Sequence, residues 1–105
     1  YFNAGRAAAF HYNPWVNRLC PELPNALGIS RGIEASDFVA APGGLTDKET
    51  HAGLFMHELG HNLGLRHGGS DDINHKPHYL SVMNYNYATL GLFIGNNFFL
   101  FWSFL

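Results

Sequence analysis

The run HELGHNLGLRH, residues 57–67, holds three of the chain's seven histidines, at offsets of four and then six. No other stretch so narrows what the chain must fold into. Residues i and i+4 of an α-helix stand one turn apart on the same face, so His57 and His61 can aim ring nitrogens at one point. At 100° per residue, a continued helix would carry His67 about 240° further round than His61, pointing away. Gly64 removes the conflict. Glycine takes the left-handed C-terminal conformation with no Cβ penalty, ends the helix, and lets His67 approach the same point from below.

Three imidazoles suit Zn²⁺ at roughly 2.0–2.1 Å each and leave a fourth tetrahedral position for water, the open form of catalytic sites. A structural site is normally closed by a fourth protein ligand, commonly cysteine. The sequence has one cysteine, Cys20, which excludes an internal disulfide framework and a cysteine-type zinc knuckle. Cys20 reads as a bystander thiol. Glu58 is offset in azimuth from the metal direction, so it is better placed to accept a proton from the water than to bind zinc. As general base it would complete a nucleophile able to attack a peptide carbonyl.

The motif sits on a helix predicted from about Asp47 to Leu63. Thr46 followed by Glu49 fits a capping box, with Asp47 and Glu49 placed well for the helix dipole. Ala52, Phe55, Met56, Leu59 and Leu63 fall on one stripe at helical spacing, with the histidines nearly opposite. The helix thus has a greasy face, of the kind that packs on a core, and a histidine face. Upstream, Gly5 to Asn13 reads as a strand with Phe10 and Tyr12 on one face. Residues 13–28 carry three prolines and read as an irregular connection. Asp37 to Ala41 reads as a short apolar strand closed by Pro42-Gly43-Gly44. Downstream lie a polar loop and YLSVMNYNY, a tight turn between apolar residues.

His57-Glu58-x-x-His61-x-x-Gly64-x-x-His67, followed by Ser81-Val82-Met83-Asn84-Tyr85, resembles the metzincin clan of zinc endopeptidases, whose extended motif is followed by a methionine-containing turn. The resemblance covers roughly Asp37 to Tyr85. It implies an α+β, zincin-like fold with a short β-sheet, a long active-site helix and a Met-turn, incomplete in a chain of this length. It implies His57, His61 and His67 as zinc ligands and Glu58 as general base and acid, supported by Gly64 and by Met83 as an apolar floor beneath the metal. Tyr85 matches the tyrosine that astacins and serralysins swing between zinc and the tetrahedral intermediate. One domain is expected: residues 1–45 as a partial upper subdomain, 46–67 as the active-site helix and zinc motif, and 68–105 as a lower subdomain with the Met-turn. The strand near Asp37 to Ala41 would belong to a sheet whose edge pairs with an extended protein or peptide substrate. The clan also implies a secreted or cell-surface setting, which composition neither supports nor opposes.

The remaining features bound the reading. Six basic against eight acidic residues, with no basic stripe, exclude nucleic acid as an expected partner. Asp71, Asp72 and Asn74 form an oxygen-rich loop that reads as turn-making and solvated, with Ca²⁺ an unsupported alternative because the spacing does not fit an EF-hand. His11, His51, His75 and His78 have no matching spacing and read as ordinary polar residues. The chain begins at Tyr1, as a processed product or a piece of something longer would. Its apolar end, Phe98 to Leu105, is shorter than the roughly 20 residues that span a bilayer. It is expected to pack in the core, on a missing segment or on a partner, rather than in a membrane. The alternative to a zinc endopeptidase is a zinc-binding remnant without catalysis, a structural or interaction module.

Overall fold

The computed structural model describes residues 9–102. It is α+β, with one helix and two small sheets. β1 (Gly28–Ser30) and β2 (Phe38–Ala40) precede the helix α1 (Lys48–Asn62), and β3 (Leu92–Ile94) and β4 (Asn97–Phe99) follow it. β1 and β2 are antiparallel, with Gly28 opposite Ala40 and Ser30 opposite Phe38. The Asp37 to Ala41 strand is therefore present as β2, whereas β1 lies at the end of the stretch read as irregular.

No strand forms over residues 9–13. Tyr12 makes only an isolated parallel bridge to Asp37, and Trp15 another to Ala40. Pro14 explains the interruption: it offers its carbonyl to the Ala40 N–H at 3.1 Å but has no N–H of its own to return to a ladder. The rest of the expected strand, Gly5 to Ala8, lies outside the described residues.

Helix α1 starts one residue later than a Thr46 cap requires. Asp47 has extended backbone angles and its carboxylate accepts from the Thr50 N–H at 2.7 Å. A charged acceptor is the stronger partner for an orphan amide, and with Asp47 as cap the Thr46–Glu49 box is out of register. Glu49 still sits in the first turn, where the helix dipole favours it. At the other end the Gly64 N–H bonds to the His61 carbonyl at 3.0 Å and the Leu65 N–H to the Gly60 carbonyl at 2.9 Å. With Gly64 at φ +96°, this is a Schellman closure.

The helix buries the face opposite to the apolar stripe. Its buried residues are Thr50, Gly53, Leu54, His57, Glu58, Gly60, His61 and Asn62, a continuous arc of about 200° at 100° per residue. Ala52 is exposed, Leu63 is 45 % exposed and Phe55 36 %, with Met56 and Leu59 half-buried. The apolar stripe is therefore not the side the helix buries most. What the histidine side offers instead is thinness. A Cβ on Gly53 would stand 2.1 Å from the Ala88 carbonyl oxygen, and one on Gly60 would stand 2.2 Å from the Met83 sulfur.

The core beneath that face is Leu65, Tyr79, Val82 and Met83, with Met56, Leu100 and Trp102 packed against it. The apolar C-terminal run reaches this core after the β3–β4 hairpin. Phe101 accepts from the Val82 N–H at 3.0 Å, and the Trp102 indole donates to the Met56 carbonyl at 2.8 Å. Phe93 and Ile94, on β3, are exposed, and residues 103–105 lie outside the described ones. Among the described residues, no helix is long and apolar enough to cross a membrane.

Alanine at a helix interior normally gains up to about 1 kcal/mol over glycine. At Gly53 the sign reverses, because the obstructing atom is backbone and overpacking costs roughly 1–3 kcal/mol. Gly53→Ala is expected to lower the urea midpoint at unchanged slope, whereas Ala52→Gly on the exposed face lowers it by no more than its propensity.

Candidate metal centre and active site

The turn at Gly64 brings His67 back to His57 and His61. Ring centroids of His57 and His61 are 4.8 Å apart, of His61 and His67 4.8 Å, and of His57 and His67 5.2 Å. One ligand nitrogen from each lies within 4.8 Å of the others. A tetrahedral set with bonds of roughly 2.0–2.1 Å holds its nitrogens about 3.4 Å apart, so the rings need only draw in slightly. Among the described residues, this is the one group of three or more histidine, cysteine or acidic side chains able to hold a metal ion.

Two of the rings are oriented by backbone carbonyls. Nδ1 of His57 lies 2.7 Å from the Val82 carbonyl oxygen, and Nδ1 of His61 2.8 Å from that of Leu65. A carbonyl only accepts, so both Nδ1 atoms carry the proton and both Nε2 lone pairs are left for a metal. Burial points the same way. Desolvation, reinforced by the neighbouring imidazoles and opposed by the Val82 bond, brings the His57 pKa down to about 4. It also lowers those of His61 and His67. The neutral ring, the metal-binding form, is the one burial favours. The donor set therefore fits a zinc ion.

Glu58 is 6 % exposed and faces β1. A Cβ on Gly28 would come within 2.7 Å of its Cγ and 2.8 Å of its Oε1, so the carboxylate occupies space that only a glycine leaves. Desolvation raises its pKa to about 7, against a hydrogen bond from the Ser30 backbone that lowers it. Together with His57, Tyr85, Leu27, Leu54 and Thr89, Glu58 lines a cleft of about 330 Å³ between the approach to β1 and residues 85–89.

Met83 is fully buried in a turn that the Asn84 N–H closes on the Ser81 carbonyl at 3.0 Å. The methionine sulfur lies against Gly60, between the two helical histidines in sequence. Tyr85 is half-exposed, its ring 5.5 Å from that of His57 and 4.6 Å from that of His67. Burial first, then the charge of Glu58, raises its phenol pKa.

The oxygen-rich loop is otherwise engaged. Asp71 pairs with Lys76 at 2.7 Å and Asp72 with Arg66 at 2.7 Å, while Asn74 accepts from the His75 and Tyr85 amides. Its carboxylates are neutralised by the chain's own cations, which leaves the Ca²⁺ alternative without a ligand set. Gly68 is needed here, since a Cβ would stand 2.0 Å from Asp71 Oδ1.

Sequence reasoning passed over Gly28, Gly60, Asn62 and His75. Asn62 is 3 % exposed and donates to the Ser30 hydroxyl at 2.6 Å and the Asp37 carbonyl at 2.9 Å, tying the helix end to β1 and to the residue that precedes β2. Gly53 and Gly60 stand seven residues apart, two helical turns, and that spacing was the legible signal of a face in close contact.

Gly64→Ala places a Cβ in the left-handed region at about 1–2 kcal/mol and disturbs the turn that returns His67. It is expected to weaken zinc binding in competition with a chromogenic chelator, as His67→Ala does more severely. Leu63→Ala, at the exposed neighbour, leaves the affinity unchanged.

The sequence model of the peptidase M66 family matches residues 28–87, a stretch holding β1, β2, the helix, the three histidines, Glu58, Met83 and Tyr85. No curated protein and no solved structure matches the chain. The match covers more than half of the sequence, its bounds enclose every residue of the metal centre described above, and the chain belongs to the peptidase M66 family.

Proposed function

We propose that the chain is a zinc-dependent endopeptidase of metzincin type, with His57, His61 and His67 as ligands, Glu58 as general base and the Met83 turn as the Met-turn of that clan. The observation that carries this reading is the three-histidine cluster with its two protonated Nδ1 atoms turned to backbone carbonyls. The peptidase family match supports it. Held by Nε2 of His57 and His61 and by one ring nitrogen of His67, a zinc ion would supply the Lewis acidity that acidifies an attacking water and polarises the scissile carbonyl.

The chain's own residues supply the rest. Glu58, adjacent to the cluster and shielded from bulk water, takes the proton of the attacking water and returns it to the leaving amine. A buried carboxyl poised near neutrality can both accept and give up that proton. The Tyr85 hydroxyl, on the cleft wall above His67, donates to the oxygen that gains charge as the carbonyl becomes tetrahedral. Gly60 lets Met83 lie directly under the helix, so the floor beneath the ligands is rigid and apolar. The substrate is a protein or peptide, extended along β1, whose Ser30 amide already faces Glu58. A secreted or cell-surface setting accords with the clan.

The open cleft beside Glu58 favours catalysis over an inactive zinc-binding remnant, since a purely structural site has no use for a buried base next to a cavity. Glu58→Gln is isosteric and leaves the ligands in place. It is expected to keep one zinc per chain by metal analysis while peptide cleavage falls by about 10²–10⁴-fold. Cleavage undiminished in Glu58→Gln removes the assigned base. Stoichiometric zinc with no cleavage by the unsubstituted protein, over a broad peptide library, supports the remnant instead.

A further inference from the structure

We propose that His75, which is not among the metal ligands, is the positioning residue for the Tyr85 ring; the proposal rests on the endopeptidase reading given above. Among the described residues, His75 is the one non-glycine at positive φ, +59°. That conformation disfavours a side chain with a Cβ. A turn alone would be served better by glycine, so the imidazole is there for something besides the turn.

The geometry shows what. Asn74 Oδ1 accepts from the His75 N–H at 2.8 Å and from the Tyr85 N–H at 2.9 Å, which stitches the two segments together at the backbone. The ring is then tethered separately: His75 Nδ1 lies 2.8 Å from Asn86 Oδ1. Asn86 is itself held, its N–H donating to Asn84 Oδ1 at 3.1 Å. Asn84 is fully buried and donates to the Lys76 and Tyr79 carbonyls at 2.6 Å and 3.0 Å. The imidazole fixed in this way stands edge-on to Tyr85, centroids 5.8 Å apart and planes at 81°.

Tyr85 needs such a wall. It is 53 % exposed, so no core packing selects its rotamer. Its ring neighbours are His57, His67 and His75, two of them in the cluster and the third on the outer side. Without His75 the phenol is free to swing to solvent, and its hydroxyl leaves the cleft for part of the time. Among the described residues His75 has no ring contact with His57, His61 or His67. Its charge does reach His67, and a Tyr85→Phe background separates that influence from its hold on the Tyr85 ring.

His75→Gly tests this, because glycine suits φ +59° and leaves the backbone no cause to move. In the metal-free full chain, the nuclear Overhauser effect between Tyr85 and His67 ring protons is expected to weaken several-fold in His75→Gly. With zinc added, kcat on a cleaved peptide is expected to fall about tenfold with KM within twofold. The same substitution made in Tyr85→Phe should have no further effect on kcat. An unchanged Overhauser effect, or an equal loss of kcat in both backgrounds, overturns the proposal. If the unsubstituted protein cleaves nothing, or Tyr85→Phe is fully active, the endopeptidase role of Tyr85 fails on its own, and the metal-free measurement still decides whether His75 holds the ring.

Discussion

The reversal at Gly64 is the constraint on which the site depends. A helix can give two imidazoles to one point, and cannot give the third. The Schellman closure supplies it by returning the chain under the helix within three residues, and it does a second task at the same time. The Leu65 carbonyl, displaced inward by the same turn, receives Nδ1 of His61 at 2.8 Å, so the bend that recruits one ligand also orients another. His57 is oriented by Val82, from the segment that carries Met83. The Val82–Met83 turn is thereby docked on the His57 ring.

Burial then selects protonation. Three imidazoles and a carboxyl stand close together at least partly buried, and desolvation disfavours the charged form of each. It takes the His57 pKa down to about 4 and the Glu58 pKa up to about 7. For histidine the favoured neutral form is the one with a lone pair to give. The Ser30 amide tempers the effect on Glu58, and Asn62, which hydrogen-bonds the Ser30 hydroxyl, holds that strand to the helix end. A polar network of this kind is tolerated in a small domain only when its members find partners, and Nδ1 of His57 and of His61 each meet a backbone carbonyl.

Much of the centre was legible because it is written in spacing. The offsets of His57, His61, Gly64 and His67 are consequences of helix pitch and glycine geometry, and β2 follows from a short apolar run ended by Pro42. The choice of packing face was not legible from hydrophobic period. Ala52, Phe55, Leu59 and Leu63 do form a stripe, yet the opposite side is buried, because backbone approach at Gly53 and Gly60 lets neighbouring segments press on the helix where side-chain hydropathy registers nothing. The cap moved from Thr46 to Asp47 for a local reason, the stronger carboxylate acceptor. β1 was hidden since three residues, one of them glycine, carry no alternating pattern. His75 and Asn62 were invisible for a different reason: their side-chain partners stand eleven to fifty-one positions away.

Close approach at glycine gives the site a common architecture. Gly28 makes room for the Glu58 carboxylate, Gly53 for the Ala88 carbonyl, Gly60 for the Met83 sulfur and Gly68 for the Asp71 carboxylate. At each position an atom of a neighbouring segment or side chain occupies the volume a Cβ would fill. The contacts at Gly28 and Gly53 set how near the helix comes to the first strand and to Ala88, and Glu58, Gly28 and Ala88 all line the cleft. The stretch matched by the family begins at Gly28 and closes at Tyr87, whose N–H and hydroxyl bond to the carbonyls of Asn84 and Pro77. Its bounds thus coincide with the first of these contacts and with the anchor of the loop that carries Tyr85. Outside that stretch, Tyr12 and Trp15 bridge to Asp37 and Ala40, and Phe101 and Trp102, after the β3–β4 hairpin, hydrogen-bond to Val82 and Met56.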